Sequence, residues 1–385
     1  MKLDPEQESI LQGESGKAVA LAMKTLISYG EVFGAKRLVP VKSCHLTGTF
    51  GIVMIKSYCL ILERLVSEGA RVKVLSTTNP RPGANLNIMN RFAFLKQARL
   101  ERLLERLGAT PNYSCVCYED ANVPSLGDCL GWAESSAVQY ANSVLGARSN
   151  RNSALIDVCC AVTGYAPEFG YLLDENRRGQ MLVKLKVKKM DASGLGFIIG
   201  QKAVGQVPVI EHFDFNRIEL KNLGGAMAAS GAVALFHVEG LTPEAPDLKS
   251  AFHGQPETTI TITQEDLDSL RKKQPDIASS IVFGCPQMTF DETMELAKYF
   301  VGKRVKKPTW FCLVPDAKRR FEKTDLYQDV LRAGVKIYDF CPLGALTARL
   351  GNKHVLTPSG KLFYYLEGTD YGNMDDCLKA CGVNP

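Results

Sequence analysis

Short β-rich runs alternate with segments of helical period along most of this chain, and no other feature restricts its fold so tightly. Runs rich in branched and aromatic residues occupy 38–41, 71–75, 113–117, 181–187, 207–210, 232–238, 258–263, 280–283, 310–314 and 335–338. Between most of them lie stretches whose apolar residues recur every three or four positions, at 52–68, 91–107, 291–301 and 318–333. Such alternation implies an α/β fold of several mostly parallel sheets flanked by helices. A chain of 385 residues exceeds one core, so two or three packed units are expected. We divide them at 1–185, 186–278 and 279–385, with the stretch 264–278 as the second junction. At the start, Asp4-Pro5 supplies an N-cap with a first-turn proline and Gly13 a stop. That predicts a helix over 4–12 and a longer one over 15–33.

Composition narrows the function classes. With 45% hydrophobic and 23% charged residues, the chain has the make-up of an ordinary globular protein. Its formal charge of +5 is scattered, and Lys303, Arg304, Lys306 and Lys307 read as a solvated helix end, so no nucleic-acid surface is expected. The N-terminus opens a capped helix rather than a basic, apolar leader. No apolar run approaches the roughly 20 residues of a membrane span, so no membrane association and a cytoplasmic location are expected. In a reducing compartment the twelve cysteines are not a disulfide framework. Most should pack as small apolar residues, leaving some for metal or catalytic use.

Three cysteines occupy equivalent places. Open parallel sheets bind ligands beyond the carboxyl ends of their strands. Cys117 ends the run 113–117, Cys285 follows 280–284 and Cys341 follows 335–340, and a proline after each of the last two turns the chain out of the sheet. Three thiolates without a fourth protein ligand suit an iron–sulfur cubane with one open iron, a Lewis acid toward a substrate hydroxyl and carboxylate. Spacing alone leaves open the plainer reading of three buried strand-end thiols. Cys115, two residues before Cys117 and so on the same strand face, is the one alternative ligand. Cys59, Cys129, Cys159 and Cys160 fall in helical segments, Cys312 lies inside a strand, Cys44 lies in a polar loop, and Cys377 and Cys381 sit one turn apart near the chain end.

The densest polar stretch runs from Trp132 to Arg151 and reads WAESSAVQYANSVLGARSNR. Glu134-Ser135-Ser136 is placed to open a helix whose free N–H groups would receive an anion, with Arg148 and Arg151 set to clamp carboxylate or phosphate. Helix capping and solvation explain the same residues equally well. This stretch resembles the aconitase X family, whose members include mevalonate-5-phosphate dehydratase and cis-3-hydroxy-L-proline dehydratase. The resemblance extends to PVKSCHLTG at 40–48, Pro167-Glu168-Phe169-Gly170, Leu173-Asp174-Glu175-Asn176-Arg177, Gly284-Cys285-Pro286 and Ser359-Gly360-Lys361.

The resemblance implies an aconitase-like protein with its site between domains, dehydrating a small hydroxycarboxylate. Cys117, Cys285 and Cys341 would then hold a 4Fe–4S cluster, with 2Fe–2S as the alternative. Ser43, His45, Asn79, Glu134, Ser135, Asn142, Arg148, Arg151, Ser359 and Lys361 would surround the substrate. It also implies a small swivelling domain that closes over the cluster and carries a serine as catalytic base. No such domain is evident in this sequence, so a separate small subunit is expected, without which the large chain would bind cluster but not turn over.

Three departures point to a divergent substrate. The family loop T-T-L-N-P-x-G-M-D of phosphomevalonate enzymes is here Thr77-Thr78-Asn79-Pro80-Arg81-Pro82-Gly83-Ala84-Asn85, which replaces an acid by asparagine and brings a cation beside the pocket. Gln287 stands where the family tends to have histidine. Tyr118-Glu119-Asp120 follows Cys117 where the family has Thr-Pro-Tyr. Two other classes compete. Gly194, Gly196 and Gly200 suggest a nicotinamide-dependent oxidoreductase, although the spacing is one residue too long for a dinucleotide loop. A non-catalytic scaffold that only binds the small partner is the other, and the strand-end thiols weigh against it.

Overall fold

The computed structural model describes residues 1–48, 54–252, 254–271, 278–347 and 354–383. The first unit opens with α1 (Pro5–Gln12) and α2 (Lys17–Val32). Asp4 accepts from the Gln7 N–H, the Gln7 side chain accepts from the Asp4 N–H, and Gly13 ends the helix in the left-handed region, so the cap and stop read from the sequence form. There follow β1 (Leu38–Pro40), β2 (Ser43–Leu46), α3 (Met54–Ser67), β3 (Leu75–Thr78), α4 (Ile88–Ala93), α5 (Gln97–Leu107), β4 (Leu130–Trp132), α6 (Ser135–Ser143), α7 (Ala154–Thr163) and β5 (Tyr165–Pro167). Parallel β2 lies between β3 and β4, while β1 and β5 form an antiparallel pair. Met23, Leu26, Leu62, Leu104 and Val158 join α2, α3, α5 and α7 to β2 in one core.

The middle unit contains β6 (Met181–Lys186), α8 (Ala192–Lys202), β7 (Pro208–Ile210), α9 (Arg217–Ser230), β8 (His237–Val238), α10 (Leu248–Phe252), β9 (Thr258–Thr263) and α11 (Gln264–Leu270). Its strands are parallel in the order β8-β7-β6-β9. β6 pairs with β9 along its whole length, so the break expected after residue 185 would cut a strand, and the sheet sets that boundary before Met181. The expected junction at 264–278 begins as α11, and 272–277 fall outside the described residues.

The third unit contains β10 (Ser280–Met288), α12 (Phe290–Ala297), β11 (Thr309–Leu313), α13 (Pro315–Phe321), α14 (Asp325–Arg332), β12 (Lys336–Tyr338), α15 (Pro342–Thr347), β13 (Val355–Thr357), α16 (Gly360–Tyr365), β14 (Thr369–Tyr371) and α17 (Met374–Cys381). Its five parallel strands run in the order β12-β11-β10-β13-β14. The sheet order therefore reverses between β10 and β13, as it does in the first unit between β2 and β4. Such reversals part the loops at the carboxyl ends of neighbouring strands and leave a crevice for a ligand.

The structure differs from the sequence expectation in several places: Cys129, expected in a helix, forms a bridge to Arg148 just before β4, and the strand expected at 71–75 lies at Leu75–Thr78. The run 113–117 is not a strand: Tyr113 has φ +48° and a 3₁₀ turn covers Cys117–Glu119. The segment is instead tied to the end of β3, with the Ser114 N–H donating to the Thr78 carbonyl at 3.0 Å and the Thr78 N–H to Asn112 Oδ1 at 2.9 Å. The expected loop around Cys44 is the central strand β2, all four of whose residues are buried. Gly194, Gly196 and Gly200 lie on α8, where an added Cβ would collide with the Leu223 carbonyl at 196 and the Ser230 hydroxyl at 200. Those glycines let α8 lie against α9, and a buried helical segment offers no dinucleotide loop. Among the described residues no helix is long and apolar enough to cross a membrane.

Candidate active site

Both strand-order reversals open on one cavity of about 440 Å³ between the first and third units. From the first unit it receives Thr47 after β2, Asn79 after β3, Cys115, and Glu134 and Ser135 after β4. From the third come Cys285 on β10, Cys341 after β12 and Lys361 on α16 after β13.

Cys115, not Cys117, faces this cavity. Cys117 is fully buried and bonded to the Thr77 side chain. The strand alternation that would place both thiols on one face is absent, because the chain turns between them. Gln287 fixes Cys115: its Oε1 accepts from the Cys115 N–H at 3.1 Å, its own N–H donates to the Cys115 sulfur at 3.2 Å, and its Nε2 donates to the Leu313 carbonyl at 3.0 Å. The signal was in the sequence. Laid on Cys115-Val116-Cys117-Tyr118, the family's Cys-Thr-Pro-Tyr keeps its tyrosine.

The other two thiols are held as firmly. Gly284 has φ +101°, and a Cβ there would collide with the Cys312 carbonyl, so only glycine brings Cys285 to the cavity wall. The Cys341 N–H donates to the Arg81 carbonyl at 2.8 Å, tying α15 to the loop after β3. Burial raises all three thiols, Cys115 to about 12. Among the described residues no three cysteine, histidine or carboxylate side chains lie close enough to share a single metal ion. A multi-iron cluster takes its thiolates on separate irons, so three thiols reaching one cavity from two units fit it better than a mononuclear site. Binding would displace the thiol protons that burial retains.

A buried ion pair forms the polar side of the cavity. Lys361 Nζ donates to Glu134 Oε1 at 2.6 Å and to Ser136 Oγ at 3.0 Å, and Asn79 Nδ2 donates to Glu134 Oε2 at 3.2 Å. Burial would raise the Glu134 carboxyl, but the Lys361 ammonium outweighs it and holds the group at about 2. Burial would likewise lower Lys361, and the same carboxylate raises it instead. His45 lies behind this pair with Nδ1 2.7 Å from Thr77 Oγ1, and burial lowers it to about 4, so the imidazole is neutral at pH 7.

Of the expected substrate shell, Asn79, Glu134, Ser135 and Lys361 line the cavity, and the remainder serve the framework. Ser43 accepts from the Trp132 indole at 3.2 Å. Asn142 bonds the Ser149 backbone and the Ala234 carbonyl. Arg148 pairs with Asp174 and reaches the Leu172 carbonyl at 3.1 Å, while Arg151 donates to the Ala228 carbonyl at 3.1 Å. Ser359 caps α16 and donates to the Cys285 carbonyl. The cation expected from Arg81 is also diverted, lying over the Tyr113 ring at 3.8 Å and pairing with Glu101 at 3.4 Å. Thr47 and Tyr365 line the wall without having been singled out. Thr47 directly follows the Ser43–Leu46 strand and was recoverable, whereas nothing in the sequence marks Tyr365.

Profiles of the aconitase X first, second and third domains match residues 1–175, 179–272 and 278–382. The chain is 34% identical to the phosphomevalonate dehydratase large subunit of Methanosarcina mazei, across 99% of this chain and 98% of that one. It is 33% identical to the cis-3-hydroxy-L-proline dehydratase of Pseudomonas aeruginosa, across 79% of this chain and 55% of that protein. The crystal structure of Thermococcus kodakaraensis aconitase X in its holo-form shares the fold with a TM-score of 0.87 at 32% identity, covering 100% of both chains. With three domains matched in order and dehydratases as its relatives, this chain is an enzyme of the lyase class and belongs to the aconitase X family.

Proposed function

We propose that this chain is the large subunit of an iron–sulfur hydro-lyase that dehydrates a small hydroxycarboxylate such as mevalonate 5-phosphate or cis-3-hydroxy-L-proline. The observation that carries this reading is the meeting of Cys115, Cys285 and Cys341 with the Glu134–Lys361 pair on one cavity. The three thiols would hold the cluster, 4Fe–4S in first place and 2Fe–2S as the alternative. Bound there, it supplies an open iron as Lewis acid for the departing hydroxyl.

The protein's own groups bind and orient. Lys361 stays protonated with its charge balanced by Glu134, and the N–H it does not give to Glu134 and Ser136 is left to receive a substrate carboxylate or phosphate. The Glu134 side chain does not cap α6, so the first-turn N–H groups beside Ser135 are left without a side-chain partner and could receive the same anion. Neither member of the pair suits the role of base. A carboxyl held at about 2 takes up no proton near pH 7, and an ammonium has no lone pair to offer. This supports a base, a serine in our reading, carried by a separate small subunit. Twelve free thiols support a reducing, cytoplasmic location.

The test is anaerobic reconstitution of the chain followed by iron and sulfide analysis, then assay with the small subunit on both named substrates. Iron and sulfide near zero would sink the cluster. Cluster without turnover on either substrate would redirect the search to another hydroxycarboxylate.

A further inference from the structure

Beside the cavity stands an apolar ridge. α4 and the turn after it present Ile88, Met89, Phe92 and Leu95 outward, exposed by 68, 40, 63 and 72%. Ile88 and Phe92 lie one turn apart on the same face of α4, and Leu95 projects from the turn that follows it. The opposite face is fixed, since Asn90 and Phe94 are buried and Asn90 Nδ2 donates to the Ala345 carbonyl at 2.9 Å. Ala345 belongs to α15, whose Pro342, Leu343, Gly344 and Thr347 form part of the cavity wall. The ridge is therefore braced on the wall of the site, one short helix from Cys341. Tyr365, also on that wall, is 40% exposed and its neighbour Tyr364 50%.

Single exposed apolar side chains are ordinary, but a contiguous group of large ones beside a catalytic cavity marks a contact surface. Its edge is basic. Arg81 and Arg99 are paired with Glu101 and Glu63, whereas exposed Arg91 and half-buried Lys96 are in no ion pair among the described residues.

The geometry points to the α4 ridge, together with Tyr364 and Tyr365, as the docking surface of the small subunit, whose matching face would be apolar with an acidic edge. This rests on the two-subunit reading above, to which the chain's 98% coverage of a relative named a large subunit lends support. A partner seated there lies over α15 and reaches the cavity mouth, where Lys361 and the thiols await a base.

The experiment uses the full chain and the small subunit from the same organism, followed by calorimetric titration and sedimentation. Phe92→Asp and Leu95→Asp should each weaken association by roughly 30-fold or more. Val204→Asp, at a position 69% exposed in the turn after α8 and outside the cavity lining, should change it by no more than about twofold. Circular dichroism and iron content should match the unmodified chain in all three, because these side chains stand in solvent. Unchanged association of both ridge variants overturns the assignment. So does self-association of the unmodified chain that either ridge substitution disperses, which would make a second copy the occupant. Failure of the unmodified chain to bind any small subunit sinks the two-subunit reading rather than the choice of surface.

Discussion

The N–H of Gln287 donates to the sulfur of Cys115 at 3.2 Å, joining residues 172 positions apart. A thiol on a loop of the first unit is thus aimed by a strand of the third, whereas Cys117, two residues on, is held by Thr77 within its own unit. Cys115→Ser should abolish iron and visible absorption after anaerobic reconstitution, while Cys117→Ser should keep both. Loss of the cluster from Cys117→Ser alone would restore Cys117 as the ligand.

Lys361→Met leaves the Glu134 carboxylate buried without its cation. Breaking a buried pair in this way costs about 3–5 kcal/mol. The double variant Lys361→Met/Glu134→Gln should recover much of that loss, because no charge then remains to be compensated. Denaturant midpoints of the two variants check this; equal midpoints would mean that the pair is not electrostatically coupled.

His45 carries a stability cost in acid. Its folded value of about 4 lies below the ordinary 6.5, so between those limits the unfolded chain binds a proton that the folded protein refuses. The stability it contributes is complete above pH 6.5 and is lost as pH falls toward 4, by on the order of 3 kcal/mol. In urea titrations across this range, His45→Gln should show a shallower decline than the unmodified chain. Parallel declines would mean that His45 does not remain neutral.

Gly284→Ala should be damaging out of proportion to one methyl group. The left-handed backbone alone costs on the order of 1–3 kcal/mol for a non-glycine residue, and the new Cβ also meets the Cys312 carbonyl. Gly302→Ala, with φ +67° and open space around it, pays only the backbone part. Thermal unfolding of the two variants should therefore rank them clearly, and reconstituted iron should fall in Gly284→Ala.

The sheets were legible where the strands are apolar and buried on both faces, as at Ser280–Met288 and Thr309–Leu313. Ser43–Leu46 was not, because its buried polar groups find their partners at Trp132 and Thr77, far along the chain. The same limit governs the site. Glu134 and Lys361 stand in motifs and both line the cavity, whereas which of Cys115 and Cys117 faces it depends on a left-handed Tyr113 and on Gln287, neither of which alternation can predict. Arg148 and Arg151 look like anion clamps in one dimension. Their guanidinium groups are instead used by backbone carbonyls that only the packed fold brings near.

The Lys361–Glu134 bond closes a span of 227 residues. During synthesis the carboxylate emerges long before its cation, and it must stay hydrated until the strand and helix that carry Lys361 have left the ribosome. Until then the Glu134 carboxylate has Asn79 and Ser136 as partners but no cation to balance it. The last third of the chain therefore finishes the site begun by the first, and a product truncated before Lys361 would carry Glu134 without its counter-charge.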